Sequence, residues 1–350
     1  MTFSVSSTWN RLPVKMSHNK DVRSPILTKN EPTFPSYRPP TTGFVSYLPS
    51  SWVPYAQLMR LDRPAGFYAF YFPYLVGLAF AAANAPIRHA PEELMRYAGL
   101  FFVWCIVLRG ASCTWNDNLD QEYDRAVARC RNRPIARGAV LTAQAHVFTA
   151  LQLLTMALFL AVTPFPATTH PDAAFIVVLF FIYPFGKRFT NYPQFILGFP
   201  FAAATFMACH TLSIDPMSRK MLLPTSLFCL SNVCWTMIYD TIYAHQDLQD
   251  DLKAGVMSMA VRFKDNTKQM CSVLAVTQIG LLSAVGALLN LGLPYYIVTV
   301  AGTASCIAAM IHLVDLKVPK SCAWWFKADF WFVGSTMFFG LLGQYGMRYL

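Results

Sequence analysis

The chain has 350 residues, of which 55% are hydrophobic and only 13% are charged, and its mean hydropathy is +0.37. Soluble proteins carry roughly 25% charged residues, so this composition excludes an ordinary soluble domain and indicates an integral membrane protein. The formal charge of +10 does not indicate a nucleic-acid-binding protein, because the basic residues lie mainly between apolar segments. The nine cysteines include no C-x-x-C pair, which argues against a zinc site and a disulfide framework.

The first 50 residues differ in composition from the rest of the chain. They are rich in Ser, Thr, Pro and Asn, carry six Lys or Arg against Asp21 and Glu31, and contain no apolar run. This predicts a disordered basic extension over residues 1–50 and a membrane domain over residues 51–350. A mitochondrial transit peptide is an open alternative for the extension, although it contains only three Arg and is weakly amphipathic.

Nine apolar segments follow an amphipathic lead-in over residues 51–63, and they predict an all-α integral membrane fold. A membrane-spanning helix needs ~20 residues, and most of the segments approach that length. The predicted spans are 64–85, 97–115, 139–163, 173–186, 195–213, 221–244, 270–291, 293–314 and 328–347. With a cytosolic N-terminus, the inter-helix loops predicted on the cytosolic side hold 14 Lys or Arg against 4 in the other loops, the charge bias that membrane proteins show.

Acidic and amide side chains lie at the end of the second apolar segment. Asn116, Asp120 and Asp124 are four residues apart, so they share one face if the helix continues. The two carboxylates would repel one another without a positive group between them, and Mg²⁺ accepts carboxylate and amide oxygens while leaving sites for phosphate. Five arginines that follow within a short span suit an anionic partner: Arg125, Arg129, Arg131, Arg133 and Arg137. The combination predicts a site for a metal and a phosphate group.

A second acidic cluster lies far downstream, at the end of the sixth apolar segment. Asp240, Asp247 and Asp251 are spaced i, i+7 and i+11, again on one helical face. The predicted topology places both clusters on the cytosolic side, facing one another across the bundle. Either cluster alone is also compatible with solvated charges at a helix end, but the matching placement of two clusters favours one shared site.

Three further basic residues have positions that suit this site. Lys187 and Arg188 lie at the end of the fourth segment, on the same predicted side, although ordinary anchors at the membrane surface would look alike. Arg109 lies inside the second segment, and an intramembrane charge normally faces the bundle interior. Motifs for a Gly-rich phosphate loop, H-E-x-x-H and G-x-S-x-G do not occur, which removes several common enzyme classes.

These motifs resemble those of the UbiA family of intramembrane prenyltransferases. The first resembling stretch is Asn116-Asp117-x-x-Asp120-x-x-x-Asp124 with Arg129 and Arg133-Pro134, and the second is Tyr239-Asp240-Thr241-x-Tyr243-Ala244-x-x-Asp247-x-x-x-Asp251. The similarity covers about residues 55–350. Within the family, residues 124–138 are most similar to the fungal meroterpenoid branch, with the 4-hydroxybenzoate polyprenyltransferases of ubiquinone synthesis as the alternative.

The resemblance implies a fold and a role for each motif residue. The family fold is a ring of nine transmembrane helices around a central cavity. Two Mg²⁺ ions bridging a diphosphate would be held by Asn116, Asp120, Asp124, Asp247 and Asp251, with Asp117 as an auxiliary ligand or as a residue that supports the ligands from behind. The expected diphosphate contacts are Arg60, Arg129, Arg133, Lys187 and Arg188. Asp240 and Tyr243 would lie near the acceptor or the reacting allylic carbon and would act in catalysis together with Lys187.

The implied reaction is the Mg²⁺-dependent transfer of a prenyl group, expected to be farnesyl, from an allylic diphosphate to an aromatic polyketide or phenolic acid. An endomembrane of the endoplasmic reticulum type is favoured over the mitochondrial inner membrane. Two alternatives of other classes are a cation-coupled membrane transporter and a membrane terpene cyclase. The five arginines after the first motif suit a diphosphate better than a free cation.

Overall fold

The computed structural model describes residues 37–348, and over that range the chain is all-α with no strand. Its α-helices in chain order are α1 (Val53–Leu58), α2 (Ala65–Asn84), α3 (Pro91–Leu119), α4 (Gln121–Ala126), α5 (Thr142–Val162), α6 (Thr169–Gly186), α7 (Pro193–Thr211), α8 (Leu222–Ala244), α9 (Leu248–Ala254), α10 (Met259–Phe263), α11 (Thr267–Leu288), α12 (Thr303–Leu313), α13 (Pro319–Asp329) and α14 (Ser335–Gly346). Single 3₁₀ turns occur at Phe44–Tyr47, His245–Asp247 and Lys264–Asn266, and π-helical turns lead into α12 and α14 at Tyr295–Gly302 and Phe330–Gly334.

The long helices form a closed ring. Successive helices pack side by side, with α3 against α2, α5 and α6, α7 against α6 and α8, and α11 against α8 and α12. The last helix, α14, packs against α2 and closes the ring. Buried apolar side chains from these helices form one large core cluster. Because α3 and α8 both end at the same end of the ring, we call this end of the bundle the motif end.

Seven helical segments in the described range are long and apolar enough to cross a membrane. They are Ala65–Asn84, Pro91–Leu119, Thr142–Val162, Thr169–Gly186, Leu222–Ala254, Met259–Leu288 and Tyr295–Leu313. The predicted count of nine is therefore not confirmed, because the segments predicted at 195–213 and 328–347 are outside this set. The first of these is α7, which packs against α2, α6 and α8 and is largely buried by them. A helix enclosed by other helices needs less apolar surface than one that faces lipid.

The part of the predicted extension that the structure describes is packed against the helices. Residues 1–36 of the predicted disordered segment lie outside the described residues. Residues 44–47 form a 3₁₀ turn in which Val45 is buried. Tyr37 stacks on the guanidinium of Arg137 at 3.8 Å, and its hydroxyl donates to Gln57. The predicted boundary at residue 50 therefore differs from the structure, in which the packed region already includes Tyr37.

The two acidic motifs lie where long helices break at the motif end. Helix α3 ends at Leu119, so the single continuing helix predicted for the first motif is wrong. The helical spacing nevertheless continues across the break, because Asp120 N–H donates to Asn116 O at 2.9 Å and Asp124 N–H donates to Asp120 O at 2.8 Å. Helix α8 similarly ends in a 3₁₀ turn before α9. Each motif therefore passes from a long helix into a short one, and the two short helices, α4 and α9, contact one another.

Candidate active site

A cavity of about 550 Å³ opens at the motif end between the two acidic motifs, and we call it the central cavity. Of the predicted site residues, it is lined by Arg60, Asn116, Asp120, Asp124, Arg129, Arg133, Lys187, Asp240, Tyr243, Asp247 and Asp251. Two predicted site residues, Asp117 and Arg188, are absent from its lining. The structure therefore brings residues more than 100 positions apart in the chain onto one surface.

The two motifs are joined directly by Arg129. Its Nε donates to both carboxylate oxygens of Asp247, at 2.9 and 3.0 Å, and its Nη2 forms a further ion pair with Asp247. Its Nη1 donates to the Tyr243 hydroxyl at 3.0 Å. The backbone N–H of Ala128 also donates to Asp250 at 3.0 Å. A bidentate arginine–carboxylate pair fixes orientation as well as distance, so these contacts hold the second motif against the first.

Within the first motif, basic side chains are paired with carboxylates at the edge of the cavity. Lys187 Nζ donates to Asp120 Oδ2 at 2.7 Å and to Asn116 Oδ1 at 3.3 Å. Arg133 Nη1 donates to both oxygens of Asp124, at 2.9 and 3.0 Å. Acidic and basic groups thus alternate around the cavity mouth, an arrangement that can accept an anion together with cations.

Burial and neighbouring charges shift the pKa values of two of these groups. Burial raises the pKa of the Asp124 carboxyl to about 6, against the opposing effect of Arg133. Burial would lower the pKa of Lys187, but the adjacent Asp120 carboxylate raises it above its ordinary value. Lys187 therefore stays cationic at neutral pH, and the site keeps a fixed positive charge beside Asp120.

Asp117 lies behind the cavity wall and not on it. Its carboxylate is fully buried and accepts from Arg60 Nη2 at 2.6 Å and from Arg133 Nη1 at 2.9 Å. This position does not suit a direct metal ligand, because the guanidinium groups of Arg60 and Arg133 lie against the carboxylate, but it suits the alternative prediction of a residue that supports the ligands from behind. The position suits a residue that orients Arg60 and Arg133.

Arg188 points away from the cavity towards the end of α3. Its Nη2 donates to the Leu119 carbonyl at 2.8 Å, and it lies 3.7 Å from Asp120 Oδ1. An arginine at the C-terminal end of a helix satisfies carbonyls that have no partner within the helix. The predicted diphosphate contact of Arg188 therefore does not fit its position, whereas the neighbouring Lys187 faces the cavity.

Two buried polar residues outside the predicted set of metal, diphosphate and catalytic residues support the site. Gln194 accepts from the Met259 backbone N–H at 3.1 Å, and its side chain lies next to the Asp240 carboxylate of the neighbouring helix α8. Arg109 donates to the carbonyls of Arg60 at 3.1 Å and Arg63 at 2.6 Å. The Arg60 backbone has a left-handed φ of 58°, which is uncommon outside glycine, and Arg109 stabilises this turn. The sequence signalled Arg109 by its position inside an apolar segment; Gln194 carried no comparable signal.

The oxygen donors fit a divalent cation. Among the described residues, no group of three or more His, Cys, Asp or Glu side chains forms a closed metal site. This agrees with the chemistry of Mg²⁺, which binds through one or two carboxylates and completes its shell with substrate phosphates and water. Asp120 Oδ1 is buried without a hydrogen-bond donor, and Asp251 lines the same cavity from the second motif. A cation shared with a bound phosphate group would satisfy such oxygens.

The deeper wall of the cavity is apolar and aromatic. Tyr243 packs against Phe326 at 4.2 Å between ring centroids, and Tyr239 packs against Phe330 at 4.9 Å. Tyr239, Tyr243 and Phe326 line the cavity directly. Electron-rich ring faces attract a cation in a site with little water. The cavity thus combines a charged mouth with an aromatic interior.

Comparison with known proteins gives relatives along nearly the whole chain. A model described as the UbiA prenyltransferase family matches residues 70–339. The prenyltransferase ascA of Acremonium egyptiacum is 39% identical over 296 residues, which cover 85% of this chain and 86% of that protein. The prenyltransferase stbC of Stachybotrys bisbyi is 35% identical over 94% of this chain and 96% of its own length. A relative named DMOA farnesyltransferase nvfB, from Aspergillus novofumigatus, is 38% identical over 74% of this chain and 80% of its own length.

Solved structures share the fold at low sequence identity. A UbiA homologue from Aeropyrum pernix superposes with a TM-score of 0.62 at 20% identity, covering 79% of this chain and 96% of that one. A UbiA homologue from Archaeoglobus fulgidus bound to GPP and Mg²⁺ superposes with a TM-score of 0.58 at 16% identity, covering 84% of this chain and 99% of that one. These likenesses concern the arrangement of the helices.

Proposed function

Because this chain belongs to the UbiA prenyltransferase family, we propose that it transfers a prenyl group from an allylic diphosphate to an aromatic acceptor within the membrane. The observation that carries the proposal is the meeting of the two motifs across one cavity, through Arg129 and Asp247, with aromatic rings directly behind them. This arrangement offers cations and carboxylates for a metal-bound diphosphate and an apolar space for its hydrocarbon chain. The farnesyltransferase name of one relative and the fungal sources of several support farnesyl as the donor and a phenolic acid or aromatic polyketide as the acceptor.

The charged mouth would bind the diphosphate and promote departure of the leaving group. Divalent ions held by Asn116, Asp120, Asp124, Asp247 and Asp251 would supply Lewis-acid neutralisation of the developing negative charge. Arg129, Arg133 and Lys187 line the cavity and would add fixed positive charge to the same oxygens. Arg60 lies beside them and is held in place by Asp117. Charge placed before the reaction needs no rearrangement as the carbon–oxygen bond breaks.

The interior would protect and direct the allylic cation. Tyr239, Tyr243 and Phe326 present aromatic groups to the cavity, and the apolar surroundings exclude water that would otherwise capture the cation. The acceptor ring would attack carbon 1 of the prenyl chain while the carbon–oxygen bond to the diphosphate breaks. Asp240, which lines the cavity beside Gln194, would then accept the proton that the ring loses.

The test is prenyl incorporation in microsomes that contain the expressed chain. A panel of phenolic acids is combined with labelled C10, C15 and C20 diphosphates, and products are identified by mass spectrometry. The Asp120→Ala and Asp247→Ala variants should abolish transfer while the protein still inserts. Glu122→Gln is the matched control, because Glu122 belongs to the first acidic cluster but is exposed and does not line the cavity. Full activity of either alanine variant would overturn the metal–diphosphate assignment, and selective use of 4-hydroxybenzoate would favour the ubiquinone-type alternative.

We also propose that the ring contains nine spans, counting α7 and the α13–α14 unit. Helix α7 begins beside the cavity at Gln194 and runs to His210, which contacts Asp172 at the start of α6 at 2.6 Å. It therefore runs the full length of a neighbour that is long enough to cross. The α13–α14 unit runs from Ala323 at the cavity to Tyr345, whose hydroxyl donates to His89 O beyond the far end of α2. A spanning α7 places residues 189–191 and 215–219 on opposite sides of the membrane, so a glycosylation acceptor should be modified at only one of these two positions. Equal modification at both positions would contradict a spanning α7.

For the location we propose an endomembrane of the endoplasmic reticulum type. The first 50 residues carry only three Arg and little amphipathic pattern, which is weak for a mitochondrial transit peptide. Fractionation of the tagged protein together with reticulum and mitochondrial markers tests this. Recovery in the mitochondrial inner membrane would contradict it.

A further inference from the structure

The deep end of the central cavity is closed by three phenylalanine rings, which we call the aromatic floor. Phe70 of α2 stacks on Phe180 of α6 at 4.9 Å, and Phe201 of α7 meets each of them edge-on at 5.2 Å. All three rings line the cavity, and each residue is at most 9% exposed. Rings from three different helices therefore meet at one level of the bundle.

The depth of the floor below the charged mouth follows from helix geometry. Phe180 precedes Lys187 by seven residues on α6, and Phe201 follows Gln194 by seven residues on α7. At a rise of 1.5 Å per residue, both helices place the floor about 10 Å below the mouth. Lys187 is one of the residues that we propose contact the diphosphate, and Gln194 lies next to Asp240. The floor therefore lies on the hydrocarbon side of the reacting carbon.

No extension of the cavity is seen beneath the floor among the described residues. The side chains one turn deeper, Tyr74, Ile176 and Thr205, are at most 2% exposed, and none of them lines the cavity. Helices α2 and α7 approach closely at this level, since a Cβ added at Gly77 would lie 3.1 Å from the Thr205 Cα atom. A hydrocarbon chain therefore meets packed protein once it reaches the rings.

We propose that the aromatic floor sets the longest prenyl chain that this enzyme transfers efficiently, with the C15 farnesyl chain as the upper limit. The proposal rests on the prenyltransferase function given above. With carbon–carbon bonds of about 1.5 Å, an extended isoprene unit spans roughly 5 Å, so about two units reach from the mouth to the floor. Farnesyl has three units, so its chain has to bend above the floor, and a fourth unit would need space that the packed side chains below the floor do not leave.

Two substitutions on α7 move the floor in opposite directions. Phe201→Ala removes a ring whose size is close to one isoprene unit, and the close contact of α2 and α7 below it limits the gain to about that volume. We expect kcat/KM for the C20 diphosphate, relative to C15, to rise about tenfold. Leu197→Phe adds a ring one turn nearer the mouth, and we expect kcat/KM for the C15 diphosphate, relative to C10, to fall about tenfold.

The matched control is Phe199→Ala. Phe199 lies on the same helix but is 38% exposed and does not line the cavity, so its removal should leave all donor ratios unchanged. The readout is the ratio of the kcat/KM values for two donors, measured in one preparation. A partial loss of folded protein lowers both values equally and so leaves their ratio unchanged. Phe180→Leu provides a milder opening of the floor if Phe201→Ala does not insert.

The outcomes separate the inference from the proposed function. Opposite shifts in the Phe201 and Leu197 variants, with an unchanged Phe199 variant, support the floor. Unchanged donor ratios in active floor variants overturn it and mean that the chain passes out of the cavity by another route. Efficient C20 transfer by the unmodified protein also overturns it. Failure of the unmodified protein to transfer any donor to any acceptor contradicts the proposed function itself.

Discussion

The two acidic motifs share one cavity but differ in how their charges are balanced. The first motif brings its own cation, because Arg133 of the same segment holds both Asp117 and Asp124. The second motif contains four aspartates between residues 240 and 251 and no Lys or Arg. Its ion-pair partner in the described structure is Arg129, which comes from the first motif. The second motif therefore depends on the first for charge balance, and the reverse is not true.

This difference has a consequence for substrate binding. Under the proposed function, a phosphate group that bound Arg129 would compete with Asp247 for the same guanidinium, so arrival of the anion would release a carboxylate for a cation. The anion and the cations are then bound together and not independently. Arg133 is also held by the buried Asp117 and has less freedom to change partners.

Removal of divalent metal should have the largest effect, because it affects both motifs alike. Chelation of microsomes with EDTA should abolish transfer, and added Mg²⁺ should restore it, since the carboxylates would otherwise be left facing a dianionic substrate. The measurement is labelled product formed before and after metal is returned, with Mn²⁺ and Ca²⁺ compared as replacements. If activity persisted under chelation, the two motifs would not share a site that depends on divalent metal.

Arg129→Ala should have the next largest effect and tests the dependence of the second motif on the first. We expect kcat/KM to fall about a hundred- to a thousandfold, because one preorganised cation is lost and Asp247 loses its partner. Arg125→Ala is the control, since Arg125 is an exposed arginine of the same segment that does not line the cavity.

A double-mutant cycle sharpens the Arg129 result. Because Arg129 and Asp247 would act on one bound group, Arg129→Ala combined with Asp247→Ala should be little worse than the poorer single variant. Losses that simply multiply would show that the two residues act separately.

Asp117→Asn should act mainly on stability, because Asp117 is the buried ion-pair partner of Arg133 from its own motif and of Arg60 from outside it. Removal of one member of a buried ion pair costs about 3–5 kcal/mol, so the variant should unfold at a clearly lower temperature in detergent. Asp124→Asn, at the cavity edge, should lower activity with a smaller thermal shift. Equal thermal shifts for the two variants would contradict the assignment of Asp117 as the orienting residue.

Gln194→Leu should have a smaller effect than metal removal, Arg129→Ala or Asp117→Asn. Leucine removes the amide beside Asp240 and leaves the buried Met259 N–H without its acceptor, which costs about 1–3 kcal/mol, so kcat should fall roughly ten- to a hundredfold while the donor KM changes little. Gln152→Leu serves as the control, because Gln152 is buried and its side-chain atoms have no hydrogen-bond partner. A rise in donor KM without a change in kcat would place Gln194 on the diphosphate and not on Asp240.

The sequence predicted the charged mouth of the cavity better than its walls and its floor. Acid spacing, arginine density and charge bias depend on composition and local periodicity, so Asp120, Asp124, Asp247 and Arg129 were identified from the chain alone. Asp117 was assigned from its place in the first motif and Arg188 from its adjacency to Lys187, and in the structure neither residue lines the cavity. A helical residue next to a cavity residue points about 100° away, so adjacency is a poor guide at a helix end.

By itself, the sequence determined that this is an all-helical membrane protein, and it predicted that acidic motifs and arginines form a site for a metal–phosphate ligand, because apolar length and charge spacing are local properties. Only the tertiary structure decided that Arg129 pairs with Asp247, that Gln194 lies beside Asp240, and that Phe70, Phe180 and Phe201 close the cavity. These contacts join separate helices, and the face that each helix turns towards its neighbours depends on the packing of the whole ring.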